Sequence, residues 1–261
     1  MAQQRATAKN GTLVLRNEDL DAQRCRREFV AAMFEDLRWF GFWWQEGPDV
    51  GGPFAPYDQS QRREQHRAIL ERLIRQGNVY RCTCSRQDVL RALQAPHQGE
   101  EEPVYPGTCR PRPGQNNSDP NKASARFAWR FRVPDGEAIC FEDGNYGPQS
   151  FIAGKDFGDF VVWRPDDVPA YQLAVVADDI AMEITEVVRG ADLLLSAARQ
   201  LLIYRALNCT PPAFFHCPVV TDETGARLAK RHDALSLRAL RESGAKPETL
   251  RASFAGEQPT A

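Results

Sequence analysis

The sequence feature that most constrains this chain is a set of residues with metal-like spacing. Cys82 and Cys84 form a C-x-C pair, and a Y-x-x-x-C pair, Tyr105 and Cys109, follows it. Because zinc prefers four tetrahedral ligands, three cysteines spaced in this way predict a zinc-binding loop, although three free thiols beside a loop would show the same spacing. The fourth ligand could be Tyr105 as a phenolate or His97, the more usual type, and the spacing leaves both open.

Composition excludes several classes of protein. Lys and Arg number 33 against 35 Asp and Glu, so any contact with nucleic acid must come from local patches rather than from bulk charge. The chain has no run of eighteen apolar residues and no apolar signal segment near its start, which predicts a cytoplasmic protein without a membrane span. In a reducing compartment the seven cysteines favour thiols or metal ligands over disulfides. Four of them lack metal-like spacing and are predicted to be buried thiols: Cys25, Cys140, Cys209 and Cys217.

Periodicity predicts helices and strands in alternation. Apolar residues recur at near-helical spacing between Phe29 and Phe40, closed by Gly41, and again between Ile69 and Ile74, closed by Gly77. The predicted strands are residues 11–16, 126–133, 138–141, 160–163, 186–189 and 217–220. The turn at 134–136 suggests that its two flanking strands form a hairpin. The strand at 186–189 leads into a helix beginning near Ala191, an order typical of a parallel sheet.

Three further groups of residues carry possible chemistry. A cationic segment follows the glycine turn at 222–225 and suits a polyphosphate, although a solvated surface loop has the same composition; its residues are Arg227, Lys230, Arg231 and His232. The acidic residues Glu18, Asp19 and Asp21 follow a predicted strand, where they could bind an amine or cap the next helix. Tyr171 and Arg189 lie near element ends, where α/β sheets collect ligands and an arginine can clamp a carboxylate.

Taken together and in this order, these pieces resemble the catalytic core of the class I glutamyl-tRNA synthetases, and in particular the family's short paralogues, the glutamyl-Q tRNA(Asp) synthetases. The resemblance runs from about Gly11 to about Leu250. The segments that carry it are LRNEDLD (15–21), DQSQR (58–62), the C-x-C and Y-x-x-x-C pairs, GDFVVWRPDDVPAYQLAVVADD (158–179), EVVRGADLL (186–194) and RLAKR (227–231).

The resemblance implies roles for individual residues. Glu18 would hold the ammonium group of L-glutamate, while Tyr171 and Arg189 would position its α-amino acid end. Lys230 would bind ATP and act catalytically, stabilising the phosphates by charge neutralisation as pyrophosphate leaves. The family has a tyrosine as fourth zinc ligand, so Tyr105 is preferred to His97, and the zinc site would be structural and closed.

It also implies an architecture and a reaction. The expected fold is α/β, a class I aminoacyl-tRNA synthetase Rossmann-like catalytic core with a zinc-containing insertion and with its first strand and helix missing. The expected domains are a partial Rossmann-like catalytic half at 11–80, a zinc-binding insertion at 81–135, a second catalytic half with a KMSKS-like loop at 136–254 and a tail at 255–261. A monomeric ligase would activate glutamate with ATP and Mg²⁺ and attach it to the queuosine of tRNA(Asp).

The opening of the chain departs from the family pattern. The family begins with a strand and a His-containing ATP-binding motif, whereas only ten residues precede Gly11 here. Two explanations are open: a start placed too far downstream, or a shortened, inactive chain, and both predict little glutamate-dependent pyrophosphate exchange. Asn17 and Ala229 also depart from the family's usual residues. The alternative function is therefore a truncated, catalytically inactive paralogue that retains zinc and RNA binding, the latter through three arginines of the strand near residue 130: Arg126, Arg130 and Arg132.

Overall fold

The computed structural model describes residues 1–21, 25–85, 87–89, 104–112, 126–219 and 236–256. The described helices are α1 (Ala2–Ala8), α2 (Arg27–Trp39), α3 (Arg63–Arg75), α4 (Tyr171–Ala181), α5 (Leu194–Ala206), α6 (Leu237–Glu242) and α7 (Pro247–Gly256). The strands are β1 (Val79–Cys82), β2 (Ala128–Phe131), β3 (Ala138–Asp143), β4 (Gly147–Ile152), β5 (Phe160–Trp163), β6 (Glu186–Gly190) and β7 (Ala213–Cys217). None of the helices in these ranges has the length and apolar composition that a membrane crossing requires.

The chain divides into two compact units. The first comprises Met1–Gln61 with Pro218–Ala261, and the second comprises Arg62–Cys217. In the first unit, the predicted helix after Phe29 is confirmed as α2. The strand predicted at 11–16 is wrong, because within the described residues this segment forms a single isolated bridge, Val14 with Glu46, and no ladder.

The second unit contains two sheets. A three-stranded antiparallel sheet has the order β1-β2-β5, and a four-stranded mixed sheet has the order β4-β3-β7-β6. In the mixed sheet β6 and β7 run parallel over five residue pairs, as the strand-helix order predicts. The chain passes from β6 to β7 through α5, a crossover of the kind that parallel neighbours need.

The hairpin predicted across the turn at 134–136 is wrong. The turn is present, but β2 pairs with β1 and β5, whereas β3 pairs with β4 and β7. Phe131 at the end of β2 stacks on Phe160 of β5, with ring centroids 5.3 Å apart, and this buried contact fixes β2 in the three-stranded sheet. The strand predicted at 217–220 lies earlier in the chain, because β7 ends at Cys217, where the predicted strand begins. Its residues Phe214 and Phe215 are buried in the core.

Three helices pack against each other in the core of the second unit. The predicted helix ending at Gly77 is confirmed as α3, which places Leu70 and Leu73 in the core. Gly77 has φ +72°, and its N–H and that of Asn78 bond back to the last turn, a helix end that favours glycine. α3 and α5 both pack on α4, whose residues from Gln172 to Asp179 are all buried. α3 and α4 contact β1 and β5 of the three-stranded sheet, whereas α5 contacts β3 and β4 of the mixed sheet.

A buried charge lies where α3 meets α4. One carboxylate oxygen of Asp178 accepts hydrogen bonds from Arg62 Nε at 2.7 Å and from His66 Nε2 at 2.8 Å. All three side chains are almost completely withdrawn from solvent. A buried carboxylate is tolerated only when paired and hydrogen-bonded, so these contacts hold the two helices in one arrangement.

Candidate functional site

The predicted metal ligands lie together at the end of β1. Cys82 is the last residue of this strand, and Cys84 follows it two residues later. Tyr105 and Cys109 belong to the next described segment, residues 104–112, and pack with both cysteines in one small apolar cluster. The three Sγ atoms lie within 4.8 Å of one another. The structure therefore brings together all four residues predicted to bind zinc.

The spacing of these atoms fits a tetrahedral zinc site. Tyr105 Oη lies 3.4 Å from Cys82 Sγ and 3.7 Å from Cys84 Sγ, and Cys84 Sγ lies 3.5 Å from Cys109 Sγ. Tetrahedral zinc with Zn–S bonds of about 2.3 Å and a Zn–O bond of about 2.0 Å would separate two sulfurs by about 3.8 Å and a sulfur from an oxygen by about 3.5 Å. Three thiols and a phenol at these separations are a donor set that suits zinc.

At neutral pH the metal-free cluster keeps protons on two of its four side chains, because their pKa values are raised. Burial raises the pKa of the Cys84 thiol to about 11, and burial raises the pKa of Tyr105 well above its usual range. Burial also raises the pKa of the Cys109 thiol, but the backbone hydrogen bond from Thr83 and contacts with the other ligands bring it down to about 7. A metal ion would have to displace the remaining protons, so zinc uptake by this cluster should release them.

A buried aspartate holds the segment that carries Tyr105. Asp159 accepts hydrogen bonds from Tyr80 Oη at 2.5 Å, from Arg110 Nε at 2.8 Å and from the backbone N–H of Val133 at 2.8 Å. Arg110 follows Cys109 directly, so this ion pair ties the second ligand pair to the three-stranded sheet.

Gly158 makes the closest backbone approach to the ligand segment. A Cβ at this position would lie 2.8 Å from the backbone nitrogen of Tyr105 and 3.0 Å from its oxygen. We expect Gly158→Ala to displace Tyr105 and to lower the free energy of unfolding by about 1 to 3 kcal/mol, as overpacking does. Urea unfolding measures this loss, and Gly11→Ala is the control, because its new Cβ would meet only Ala6 O at 3.6 Å. Equal stability of the two variants would contradict this close approach.

The second group of predicted site residues lies where the start of α4 meets the mixed sheet. Tyr171 opens α4, and Arg189 is on β6, with Arg189 Nη1 donating to Tyr171 Oη at 3.5 Å. Arg189 Nε donates to His216 Nε2 at 3.1 Å, and the guanidinium lies 5.3 Å from the ring centroid of Phe214. The arginine is thus half-buried and held in place, with a tyrosine hydroxyl beside it.

His216 and Asp143 form a buried chain behind Arg189. His216 Nδ1 lies 2.5 Å from Asp143 Oδ2, and neither side chain has access to solvent. Burial raises the pKa of Asp143, but hydrogen bonds from the His216 side chain and from the backbone of Tyr146, Asn145 and His216 bring it below its usual range. The ionised carboxylate accepts from Nδ1–H, which leaves Nε2 as the acceptor for Arg189.

The sequence analysis did not identify either of the two residues behind Arg189, His216 and Asp143. Asp143 ends β3 and His216 is the next-to-last residue of β7, two adjacent strands of the mixed sheet. The sequence contains one weak signal, a histidine within the apolar run AFFHC. A histidine buried in such a run needs a polar partner, so the run indicates an unidentified partner for His216. Its partner is 73 residues away in sequence, and only the strand order brings the two together.

In the first unit, two motifs that carry the resemblance contact each other. Asn17 Nδ2 donates to Asp58 Oδ1 at 2.7 Å, and Asp19 Oδ2 accepts from Ser60 Oγ at 2.6 Å. The segments LRNEDLD and DQSQR are therefore joined by side-chain pairs, and Asn17 is buried there. Glu18 pairs with Arg16 at 3.1 Å and remains partly exposed.

The structure differs from the sequence-based expectations for the cap of α2 and for the four cysteines without metal-like spacing. The N-cap residue of α2 is Arg26, with no side-chain cap hydrogen bond, so Glu18, Asp19 and Asp21 do not cap this helix. The expectation of four buried thiols is wrong: Cys140 on β3 is exposed, because its strand presents alternate residues to solvent, and three others are half-buried: Cys25, Cys209 and Cys217. His97, Lys230 and the cationic segment around Lys230 lie outside the described residues.

Comparisons with known proteins find similar sequences over nearly the whole chain. The family model described as "tRNA synthetases class I (E and Q), catalytic domain" matches residues 1–255. A glutamyl-Q tRNA(Asp) synthetase of Nitratidesulfovibrio vulgaris is 47% identical over 239 residues, which are 92% of this chain and 74% of that protein. One from Symbiobacterium thermophilum is 47% identical over 252 residues, covering 94% of this chain and 76% of that protein.

Solved structures show the same architecture. The crystal structure of a glutamate tRNA ligase from Elizabethkingia meningosepticum, in complex with its amino acid, aligns with a TM-score of 0.79 at 26% identity. The glutamate-tRNA synthetase of Elizabethkingia anophelis aligns with a TM-score of 0.76 at 27% identity. These alignments cover 96% and 90% of this chain but only 55% and 49% of the solved chains, so this chain spans about half of their length.

Proposed function

Because the chain belongs to the class I tRNA synthetases for glutamate and glutamine, we propose that it activates glutamate with ATP and transfers it to the queuosine of tRNA(Asp). Two relatives of that name, each 47% identical over more than nine-tenths of this chain, support the choice of RNA. The observation that carries the proposal within the structure is Arg189 on β6, held beside Tyr171 at the start of α4.

Arg189 suits a carboxylate for physical reasons. Arg189 donates from Nε to His216 Nε2 and from Nη2 to the carbonyl oxygen of Leu193 at 3.4 Å. These two hydrogen bonds give its guanidinium plane one orientation before the substrate binds. A preorganised, partly desolvated guanidinium binds a carboxylate more strongly than a mobile surface arginine does. We infer that Tyr171 and Arg189 position the α-amino acid end of glutamate. By the family resemblance, Glu18 would hold the ammonium group, and Lys230 would neutralise the phosphates of ATP with Mg²⁺.

The zinc site belongs to the same proposal. Cys82, Cys84, Tyr105 and Cys109 would hold one zinc ion as a structural crosslink that orders the segment after β1. Besides the ion, contacts of Arg110 with Asp159 and with the carbonyl oxygen of Val133 and the packing of Arg130 on the Tyr105 ring tie this segment to the sheet. A monomeric state, a cytoplasmic location and the domain boundaries given above stay predictions.

The first test is amino-acid-dependent exchange of pyrophosphate into ATP. The proposed function requires glutamate to drive exchange by the purified protein well above glutamine and aspartate at equal concentration, because pyrophosphate reverses the formation of the glutamyl adenylate. Such exchange would overturn the expectation, drawn from the sequence, of little glutamate-dependent exchange. No exchange with glutamate would contradict the proposal. That result would instead support the inactive, RNA-binding alternative, although Arg130 and Arg132 of its basic strand already donate to groups of the protein.

A second candidate function is ordinary charging of tRNA(Glu). A glutamate–tRNA ligase of Nitrosococcus oceani is 41% identical over 94% of this chain, and this relation favours the same activation step. The chain covers only 52% of that relative but 74% of the Nitratidesulfovibrio vulgaris relative, so the transfer to tRNA(Asp) is the first proposal. Comparing glutamate acceptance by tRNA(Glu) and by tRNA(Asp) with queuosine separates the two functions.

Replacing Asp143 by asparagine should weaken glutamate use through Arg189. Backbone N–H groups donate to Oδ1, so the amide oxygen should take that position and the amide NH₂ should face His216 Nδ1. His216 would then carry its proton on Nε2, directed at the donating Nε of Arg189. We expect about a tenfold rise in KM for glutamate, or about 1.4 kcal/mol, in exchange assays. Glu142→Gln, an exposed change on the same strand, should leave KM unchanged, and equal KM values for both variants would contradict the chain of contacts.

A further inference from the structure

The side chain of Arg130 makes two contacts with proposed metal ligands and one with the backbone of Asp159. Its Nε donates to Cys82 Sγ at 3.3 Å, and its Nη1 donates to the carbonyl oxygen of Asp159 at 2.9 Å. Its guanidinium carbon lies 3.9 Å from the centroid of the Tyr105 ring. Two of the four proposed ligands therefore contact one fixed cation.

The strand register explains this placement. Arg130 lies opposite Tyr80 on the paired strands β1 and β2, and Cys82 is two residues further along β1. Residues two apart on a strand share a face, so Arg130 and Cys82 point to the same side of the sheet. Because both are on hydrogen-bonded strands, the arginine is positioned by the fold and not by the segment that it contacts.

The cluster needs a cation beside it on grounds of charge. Three thiolates and a phenolate around one zinc ion sum to a net charge of −2, and Cys82 and Tyr105 are buried, where an uncompensated charge is costly. An N–H donor to a thiolate ligand lowers that charge without occupying a coordination position. Another nearby arginine, Arg110, is engaged by Asp159 and Asp135.

We propose that Arg130 is a positioning residue of the metal centre, which orients Cys82 and Tyr105 and offsets their negative charge, so that this ligand set holds zinc tightly. The inference rests on the proposed zinc site and adds a residue outside the four ligands. Outer contacts of this kind change metal affinity by about 10- to 100-fold when removed.

Arg81 offers a matched control. It neighbours Cys82 in sequence and carries the same charge, but its guanidinium stacks on Phe127 at 4.6 Å and on Trp129 at 5.5 Å. Arg81→Gln therefore removes one nearby positive charge and leaves the contacts to the ligands intact. Arg130→Lys keeps the charge and loses the planar fork, whereas Arg130→Gln loses both charge and fork.

The experiment measures the zinc dissociation constant of the full-length protein by competition with a chromophoric chelator, and the absorption spectrum after cobalt substitution. We expect Arg130→Gln to weaken zinc binding by about 10- to 100-fold, Arg130→Lys to weaken it less, and Arg81→Gln to change it less than twofold. The cobalt spectrum of Arg130→Gln should shift, because it reports the ligand geometry of the metal-loaded protein. A variant that only folded less well would give less metal-loaded protein with an unchanged spectrum.

Two results would overturn the inference in distinguishable ways. Wild-type protein that takes up no stoichiometric zinc would remove the metal centre and, with it, a role for Arg130 there. Wild-type protein that binds zinc, with Arg130→Gln binding it equally tightly or with Arg81→Gln losing as much affinity, would overturn the role of Arg130 alone. Glutamate-dependent exchange is a separate readout, so neither result depends on the proposed reaction.

Discussion

Replacing Asp178 by asparagine is expected to lower the free energy of unfolding by about 3 to 5 kcal/mol. The side chain keeps its volume, but the carboxylate that receives both Arg62 and His66 is lost, and the arginine stays buried with a charge that the amide cannot balance. Removing one partner of a buried ion pair costs more than the pair itself contributes, because the remaining charge has lost its water as well as its partner. Urea unfolding followed by circular dichroism measures the change.

Asp166→Asn is the control for that experiment. Asp166 pairs with Arg164 two residues away, and both side chains are exposed. A surface ion pair of this kind contributes little, so this variant should stay within about 0.5 kcal/mol of wild type. Similar stabilities of Asp178→Asn and wild type would show that the contact between α3 and α4 does not depend on the buried charge.

Replacing Arg189 by glutamine is expected to reduce kcat/KM for glutamate by about 30- to 5,000-fold, which corresponds to about 2 to 5 kcal/mol. Glutamine cannot supply the two parallel N–H donors of the guanidinium, and it leaves the substrate carboxylate without a counter-charge at a half-buried position. Pyrophosphate exchange at varied glutamate concentration gives the constants. Since the contact is to the substrate rather than to the reacting phosphates, most of the loss should appear in KM.

Arg205→Gln is the matched variant for this prediction. Arg205 lies at the exposed end of α5 and pairs with Glu137 at 2.5 Å. It has the same charge and lies in the same compact unit, but its guanidinium has no contact with Tyr171 or His216. An equal loss of kcat/KM in both variants would indicate a general effect of charge and would contradict the assignment of Arg189.

The clustering of the three cysteines was predictable because its signal is local in chemistry. Cysteines are few in this chain, so spacing was enough to select Cys82, Cys84 and Cys109. The spacing left Tyr105 and His97 open as the fourth ligand, and the family resemblance preferred Tyr105. Helices α2 and α3 were predictable for a similar reason, because helical periodicity is read within one segment.

Strand pairing was not predictable in the same way. The turn at 134–136 indicated a hairpin, yet β3 pairs with β4, whose sequence GPQSFI contains glycine and proline and gives no strand signal. Which strands pair depends on side chains far apart in sequence, such as Phe131 and Phe160. Two buried pairs are similarly remote in sequence, Arg62 with Asp178 and His216 with Asp143. Nothing in the sequence distinguishes any of these four residues from an ordinary polar residue.

The resemblance to a family supplied what the residues alone could not. Tyr171 and Arg189 were singled out as element-end residues, and only the family gave them a shared ligand; the structure then places them 3.5 Å apart. His216 and Asp143 had no such support, because no motif named them. A bottom-up reading therefore identifies ligands with rare side chains more easily than it identifies the buried residues that hold them.

Transfer of radiolabelled glutamate to tRNA(Asp) tests the proposed function most directly. The RNA is prepared with queuosine at the wobble position or with guanosine there, incubated with ATP, glutamate and the protein, and digested so that the anticodon fragment separates from the 3′ end. The proposal predicts ATP-dependent label in the anticodon fragment of the queuosine-containing RNA and none in the guanosine form. Label at the 3′ end of tRNA(Glu), or equal labelling of both forms of tRNA(Asp), would contradict it.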